Sequence, residues 1–366
     1  MEKNQIPIFK KIIFTIIFFL IIFFIIEVIG FFYKMKFSPA VQKFKVPMLA
    51  DKQYIEDDTE LFWRFKPSIK INSVWSAPDL ININSAGFRS NYEYTELKDS
   101  DVFRIACIGN SITFGYRRKV NETFTTILEE ILNNRKIKNY KFEVYNFGVP
   151  GYTSHQGLVV LKRYVIKYKP DVVIISFGIN DERHVVVPDK EQKIKITILS
   201  NIEKYVQKFF TYQLLVRFYY LAAEKQFAKK QLVSRVSIAD YKKNLEEMIN
   251  ICNEKNIKVI LFTPPYNPIF IGSSFGNNME EYNNAMKEVV NTNKAILLVD
   301  FKNKVFEIFE KEKKNLIWDG VHPDYDGNLL LAELISLKIF DIIRTTDTSA
   351  TDKNNNLLKS KDKVKK

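Results

Sequence analysis

Cysteine and histidine are scarce in this chain of 366 residues, which contains two cysteines and three histidines. Cys107 lies in an apolar run and Cys252 in a helical pattern, so the two suggest neither a disulfide framework nor a metal site. A dinucleotide fingerprint and a phosphate-binding loop are also missing. The sequence therefore predicts buried thiols and a protein without metal or cofactor.

Acidic residues are outnumbered, because 55 lysines and arginines face 42 aspartates and glutamates and give a net charge of +13. The basic residues are spread along the chain without a zinc-finger, RRM-like or basic-helix pattern, which argues against nucleic acid as a partner. A solvated surface, facing anionic lipid or polymer, is the favoured interpretation. The polar, Lys-rich tail 345–366 is predicted to be disordered.

One long apolar run, Ile12–Tyr33, is interrupted only by Thr15 and Glu27. Its roughly 22 residues span the roughly 30 Å hydrocarbon core of a bilayer, and no small-residue cleavage site follows it. We expect a single-pass membrane anchor behind a short flank, 1–11. Because lysines lie on both sides, the positive-inside rule does not decide the orientation. A lone N-terminal anchor before a large domain favours an extracytoplasmic body.

The segment 34–81 has little periodicity and is interpreted as a linker. Short apolar strands and helical patterns then alternate over 82–344. The predicted strands are Phe103–Ile108, Phe142–Phe147, Asp171–Phe177, Lys258–Phe262 and Ala295–Val299. The predicted helices are Glu122–Asn133, Ser154–Lys167, Ala239–Glu254, Glu280–Asn291 and Asn328–Ile343. This alternation predicts an α/β fold with a flavodoxin-like, doubly wound parallel sheet of five strands.

An aromatic and basic insertion, 185–236, breaks this rhythm and is longer than a usual connection. It can supply extra helices on the side of the sheet. It can also form a lid or membrane-proximal wall over an active site.

Polar residues follow the predicted strands. Ser111 lies in "IGNSITFG" after the first strand, where open α/β sheets place their chemistry. A serine nucleophile needs a base, and His322 in "WDGVHPD" has Asp319 three residues before it to orient its ring. Gly148 in "NFGVPGYTS", Asn180 in "SFGIND" and the Ser111 N–H are candidate oxyanion donors.

Each of these residues also has a structural interpretation when taken alone. Ser111 and Asn180 can be ordinary turn residues, and His322 and Asp319 can cap a helix. Gly148 can be present only because the backbone there needs the conformational freedom of glycine. The serine segment is not the G-x-S-x-G elbow of α/β-hydrolases, since residue 113 is threonine.

Taken together and in this order, the four segments resemble the SGNH (GDSL-type) hydrolase superfamily. "GNSITFG" is similar to its GDSxTxG block with Asn110 in place of aspartate, and "GIND" and "DGVHP" are similar to its GxND and DxxHP blocks. The resemblance implies Ser111 as nucleophile, His322 as base and Asp319 as its orienting residue. It implies Ser111, Gly148 and Asn180 as oxyanion donors.

Other conspicuous residues receive supporting roles. His155 and His184 are predicted to be surface or supporting residues, without a catalytic or metal-binding role. Asp181 is expected to support the Asn180 loop, and Phe88 and Arg89 of "NSAGFRS" are expected to pack and pair.

The resemblance and the anchor together imply a membrane-anchored serine esterase. Its expected substrates are small acyl esters, above all O-acetyl esters on cell-envelope or exported polysaccharide. Three alternatives stay open: acyl transfer to a sugar hydroxyl, hydrolysis of lipid esters, and a non-catalytic envelope protein that only binds.

Overall fold

The computed structural model describes residues 7–36, 54–71, 80–192, 205–206, 209–215, 218, 232–266, 278–293 and 295–363. The chain divides into two compact units, described here one at a time. The first comprises Met1–Thr59 and Ile194–Gln231, and the second Glu60–Lys193 and Leu232–Lys366.

The strands of the described residues are short and are numbered in chain order. They are β1 Ile55–Asp58, β2 Phe62–Phe65, β3 Ile69–Ile71, β4 Ile81–Ile83, β5 Val102–Gly109, β6 Lys141–Gly148, β7 Val172–Ser176, β8 His184–Val185, β9 Val233–Ser234, β10 Lys258–Phe262 and β11 Leu297–Val299.

The α-helices are numbered in the same way. They are α1 Ile8–Lys36, α2 Ser111–Phe114, α3 Phe124–Asn134, α4 Ser154–Val160, α5 Ile238–Glu254, α6 Met279–Thr292, α7 Phe301–Glu312 and α8 Tyr325–Lys363. A π-helical turn, Leu161–Val165, and a 3-10 turn, Ile166–Tyr168, continue α4.

The second unit is built on a five-stranded sheet in the spatial order β11-β10-β7-β5-β6, and the strand pairs that form it are parallel. Numbered by their sequence within the sheet, the strands run 2-1-3-4-5, which is the flavodoxin-like order. The predicted fold class is confirmed. The order reverses between β5 and β7, so the carboxyl ends of these two strands border the crevice where such folds bind ligands.

The strands carry nearly continuous apolar residues because helices cover both faces of the sheet. All five residues of β7 are buried. One helical layer joins α3 and α8 over the sheet, with Leu128 and Leu132 of α3 in the same buried cluster as Leu331 and Ile335 of α8. This packing fixes the strand ends that position the site.

Three features differ from the sequence-based expectations. The segment 34–81, interpreted as an irregular linker, contains β1, β2 and β3 and begins β4 at Ile81. Buried Leu61 and Phe65 explain why that segment folds. Helix α7 was not predicted, and the tail expected to be disordered continues α8 to Lys363. No glycine or proline follows Gly327 to end that helix.

The first unit contains α1, whose stretch Ile8–Phe31 is long and apolar enough to cross a membrane. Length and composition of this kind also fit a signal sequence. Glu27 accepts hydrogen bonds from the N–H groups of Phe210 (2.9 Å) and Thr211 (2.8 Å) and from the Thr211 hydroxyl (2.6 Å). Through Phe210 and Thr211, the described part of the insertion contacts α1.

Aromatic packing adds to this contact between α1 and the insertion. The rings of Phe23 and Phe209 meet edge to face at 5.6 Å. A Cβ atom on Gly30 would lie 2.3 Å from the Phe210 ring, so glycine is what lets that ring approach α1. The described contacts within the first unit therefore include one carboxylate and a small aromatic cluster.

Candidate active site

Ser111 is the first residue of α2 and follows β5 after a single residue. Asn110 caps this short helix, because its Oδ1 accepts the Ile112 N–H at 3.0 Å. An aspartate could accept the same hydrogen bond, which explains why asparagine is tolerated here. The serine is thus fixed at the end of a central strand, beside the point where the strand order reverses.

Hydrogen bonds from the Arg89 side chain stabilise the turn that follows Ser111. The guanidinium donates to the carbonyls of Phe114 (3.0 Å), Gly115 (2.7 Å) and Arg118 (2.7 Å). Phe88 packs edge to face on Phe147 at 4.8 Å. The "NSAGFRS" segment therefore packs and pairs as expected, and its arginine holds the backbone that follows the serine.

His322 and Asp319 share a tight loop before α8. Ile317 and Pro323 form an isolated antiparallel bridge, which closes the loop. Asp319 Oδ2 lies 2.8 Å from His322 Nδ1, and Oδ1 accepts the His322 backbone N–H at 3.0 Å. Partial burial acts to raise the pKa of Asp319, but the hydrogen bonds and charge of His322 outweigh it and hold that pKa below its usual value.

The other ring nitrogen of His322 reaches Ser111. The distance from Nε2 to Oγ is 2.8 Å, although the two residues lie 211 positions apart. An imidazole that donates Nδ1–H to a carboxylate has Nε2 free to accept, so the Ser111 hydroxyl can donate to it. The structure brings three of the predicted residues into one hydrogen-bonded chain.

Gly148 ends β6 and lies against the backbone of α2. A Cβ atom at this position would lie 2.3 Å from the Phe114 nitrogen, so glycine is needed for packing. Its N–H donates to Asn146 Oδ1 at 2.9 Å, while Asn146 Nδ2 donates to the Thr113 carbonyl at 2.8 Å. With its amide held in this way, Gly148 has no free N–H to offer an oxyanion.

Gly151, which the sequence analysis did not single out, lies in the same loop. Its backbone is left-handed with φ +84°, and its carbonyl accepts from Arg235 at 2.7 Å. Within the described part of the chain the Gly151 N–H makes no hydrogen bond. The segment "NFGVPGYTS" thus contains two glycines. In the described residues the Gly148 amide donates to Asn146, whereas the Gly151 amide donates to no group.

Asn180 and Asp181 lie in the turn after β7 and are both buried. Asn180 Nδ2 donates to the Tyr152 carbonyl at 2.9 Å, next to Gly151, and retains a second N–H. Asp181 accepts from the Gly178 N–H (3.0 Å) and from both the N–H (2.9 Å) and the hydroxyl (2.5 Å) of Ser154. Burial raises the pKa of Asp181 to about 6 against the effect of these donors.

The two other histidines and the two cysteines are not part of the contacts around Ser111 and His322 described above. His184 is exposed in β8, and His155 stacks on Phe62 at 6.1 Å, with burial lowering its pKa. Cys107 and Cys252 are free and buried, as predicted, and burial raises the pKa of both thiols. Among the described residues, no group of three histidine, cysteine or acidic side chains could hold a metal ion.

Comparison with solved structures finds similar chains at low identity. A lipase/acylhydrolase from Enterococcus faecalis is 22% identical, with 65% of this chain and 95% of that one covered and a TM-score of 0.45. An acetylxylan esterase from Geobacillus stearothermophilus is 19% identical (66% and 94% covered, TM-score 0.42). A putative lipolytic protein of the G-D-S-L family from Desulfitobacterium hafniense is 18% identical (64% and 97% covered, TM-score 0.41).

Comparison with curated proteins finds no match. The model of the GDSL-like lipase/acylhydrolase family, however, matches residues 107–330. This range contains the serine turn, the Asn180 turn and the histidine loop. Since it spans more than half of the chain, the protein belongs to the GDSL-like lipase/acylhydrolase family and is an ester-cleaving enzyme of that family.

Proposed function

We propose that Ser111, His322 and Asp319 are the catalytic triad of this acylhydrolase. The observation that carries the proposal is the continuous chain of contacts from Ser111 Oγ through the His322 ring to Asp319, with 2.8 Å at each step. A base within this distance of the hydroxyl can take its proton as the serine attacks an ester.

The reaction follows from these contacts. Ser111 Oγ attacks the ester carbonyl while its proton passes to His322 Nε2, and Asp319 stabilises the resulting imidazolium. His322 then gives the proton to the departing alcohol, which leaves an acylated serine. Water activated by His322 attacks this acyl group and releases the acid, which restores the hydroxyl.

The oxyanion donors in this proposal are the Ser111 N–H, the Gly151 N–H and Asn180 Nδ2. Neither of the two backbone amides donates to another group in the described residues, so both are available when negative charge develops. Gly151 replaces Gly148 here because the Gly148 amide is held by Asn146. Asn180 keeps one N–H while the other fixes its amide against Tyr152.

We further propose that α1 is retained as a single membrane anchor and that the catalytic unit is extracytoplasmic. Support comes from Glu27, which accepts three hydrogen bonds from Phe210 and Thr211 of the insertion. Cleavage after α1 would remove the acceptor from these groups. A lone apolar helix before a large domain fits translocation of that domain.

The proposed substrates are small acyl esters, above all O-acetyl esters on cell-envelope or exported polysaccharide. Two aromatic rings flank the His322 ring, Tyr116 at 4.9 Å and Trp318 at 6.1 Å between centroids. Both aromatic side chains therefore lie beside the candidate triad. An anchored extracytoplasmic enzyme meets such polymers in its own compartment.

The test is hydrolysis of 4-nitrophenyl acetate by the full-length protein in detergent, compared with Ser111→Ala and His322→Ala. We expect each variant to lose about a thousandfold or more in kcat/KM, since triad members act as a unit. Equal rates in all three proteins would contradict the triad. Product analysis with a glycan acceptor then separates hydrolysis, which yields free acetate, from transfer, which yields acetylated acceptor.

A further inference from the structure

Arg117 lies beside the candidate triad and, among the described residues, contacts aromatic rings without a charged partner. Its guanidinium carbon is 5.0 Å from the centre of the Trp318 ring and 5.5 Å from that of Tyr116. These are the same two rings that flank His322. The Trp318 and Tyr116 rings therefore contact both the Arg117 guanidinium and His322, the histidine that contacts Ser111.

This charge has no anionic partner among the described residues. Arg117 forms no ion pair there, its Nε is buried without a hydrogen-bond partner, and its terminal nitrogens remain accessible. The arginines that serve the fold behave differently. Arg104 bonds to Glu143 and to the Tyr168 and Leu97 carbonyls, and Arg235 pairs with Asp189.

The backbone at Arg117 is unusual for a long side chain. Its φ is +58°, in the left-handed region that favours glycine. Backbone strain of this kind persists where the surroundings impose it. Here the bonds from Arg89 to Gly115 and Arg118 fix the turn on both sides of Arg117.

The next two residues are also basic. Arg118 and Lys119 form no ion pair with any acidic side chain in the described ranges, and Arg118 Nε is likewise buried without a partner. The turn after Ser111 thus carries three successive cations without an ion-pair partner in the described part of the chain. Such a cluster at one edge of a site attracts negative charge and repels cationic substrates.

We propose that Arg117 selects substrates in which the alcohol part of the ester carries an anionic group, a carboxylate or a phosphate, near the acylated hydroxyl. The inference rests on the proposed function, because it assigns the substrate class of the same site. A planar guanidinium can pair with two oxygens of such a group, while Trp318 and Tyr116 limit its movement. The reacting acyl group stays at Ser111.

The test uses three substrates with the same sugar ring and the same acetylated hydroxyl. They are methyl glucosides with a hydroxymethyl, a carboxylate or a phosphorylated hydroxymethyl group at carbon 6. The full-length enzyme is compared with Arg117→Gln and with a matched control, Arg135→Gln. Arg135 also lies over an aromatic ring, Phe340 at 4.8 Å. It lies at the carboxyl end of α3, near the amino ends of the strands and away from the Ser111 turn.

We expect the wild type to prefer at least one anionic substrate about tenfold or more in kcat/KM, mainly through KM, since a charge-assisted hydrogen bond has that worth. The anionic substrate with the higher kcat/KM shows whether the site favours a carboxylate or a phosphate. Arg117→Gln should bring the ratio of anionic to neutral substrate close to one, and Arg135→Gln should keep it.

Equal kcat/KM for all three substrates in the wild type would overturn the inference. So would a preference that Arg117→Gln leaves intact, or a wild type that cleaves 4-nitrophenyl acetate but none of the three. Failure of the proposed function looks different, because Ser111→Ala would then cleave the neutral glucoside as fast as the wild type.

Discussion

Each unit of the molecule contains a carboxylate that accepts three hydrogen bonds, but the two are built into their surroundings differently. In the second unit, Asp181 binds Ser154 and Gly178 in loops that follow strands of one sheet. In the first, Glu27 binds Phe210 and Thr211, more than 180 positions away. The loops of the candidate site are thus fixed by a continuous sheet, whereas the described contacts between the insertion and α1 include one acidic residue and aromatic rings.

This difference between the two units determines whether a substitution should affect activity, stability or the docking of the insertion. Changes at the buried residues of the sheet edge should affect chemistry and stability together, because the same loops serve both. Changes at Glu27 should alter the docking of the insertion while the chemistry continues.

The largest expected effect is on the pair Asp319–His322. Asp319→Asn should lower kcat by about a thousandfold, because an amide no longer stabilises the imidazolium or fixes the ring tautomer. The melting temperature should change little, since both residues lie in a partly exposed loop. Steady-state kinetics with 4-nitrophenyl acetate and a thermal scan provide the check. Activity within tenfold of the wild type would show that the contact is only structural.

Next comes Gly148→Ala, which places a methyl group about 2.3 Å from the Phe114 nitrogen. The backbone of α2 must move to relieve this clash, so we expect a loss of about 1–3 kcal/mol in the free energy of unfolding and a large drop in activity. The comparison variant is Gly151→Ala, where the nearest heavy atom lies 3.8 Å from the added carbon. Its φ of +84° still imposes strain, but activity should fall more than stability.

Asp181→Asn tests the buried carboxylate of the second unit. Its amide places a donor opposite the donors of Ser154 or Gly178, which should lower the free energy of unfolding by about 1–3 kcal/mol. The pH dependence has a definite sign. Burial raises the folded-state pKa to about 6, above the unfolded value near 3.9, so this group costs stability as pH rises between these values.

Chemical denaturation at several pH values between about 4 and 7 gives the check. The wild-type stability contains a contribution that falls across this window and levels off above it. Asp181→Asn should lack that contribution. An unchanged slope in the variant would mean that Asp181 is not the group responsible.

A smaller and more local effect is expected at Glu27. Glu27→Leu removes the acceptor for the Phe210 and Thr211 groups, so cross-linking between cysteines placed at Phe23 and Phe209 should fall several-fold in membranes. Hydrolysis of 4-nitrophenyl acetate should not change. Thr15→Val is the matched control, since Thr15 lies on the same helix and donates only to the Lys11 carbonyl. Equal cross-linking in both variants would contradict the docking role.

The smallest effect is expected for Asn110→Asp, which creates the aspartate of the family motif. Both side chains can accept the Ile112 N–H, and a negative charge is favourable at the start of a helix. The substitution would also remove the buried Asn110 Nδ2, which has no hydrogen-bond partner among the described residues. We expect kcat/KM within about threefold of the wild type. A loss of a hundredfold would show that the amide has a separate function.

The sheet could be predicted from the sequence, and so could the meeting of Ser111, His322 and Asp319 in the candidate site, because the relevant signals are local. Each strand is a short apolar run, and Ser111, Asn180 and His322 lie in motifs a few residues long. Their meeting follows from topology, since parallel strands bring their carboxyl ends to one edge. The serine–histidine contact could therefore be anticipated across 211 residues.

The rest depends on contacts that no local pattern records. Glu27 is one polar residue in an apolar run, and its partners Phe210 and Thr211 are ordinary residues in an aromatic stretch. As donors to an oxyanion, Gly148 and Gly151 are separated by whether the amide already has an acceptor, which is Asn146 for Gly148. These outcomes are set by which atoms meet in the folded chain.

The most direct test of the triad is covalent labelling of the full-length protein with a fluorophosphonate, followed by peptide mass spectrometry. Attack by an activated serine displaces fluoride and leaves the phosphonate on that serine's oxygen. We expect one dominant adduct, on Ser111, that forms at least a thousandfold more slowly in His322→Ala. An adduct on another serine, or equal labelling of Ser111 without His322, would contradict the assignment of Ser111 as a nucleophile activated by His322.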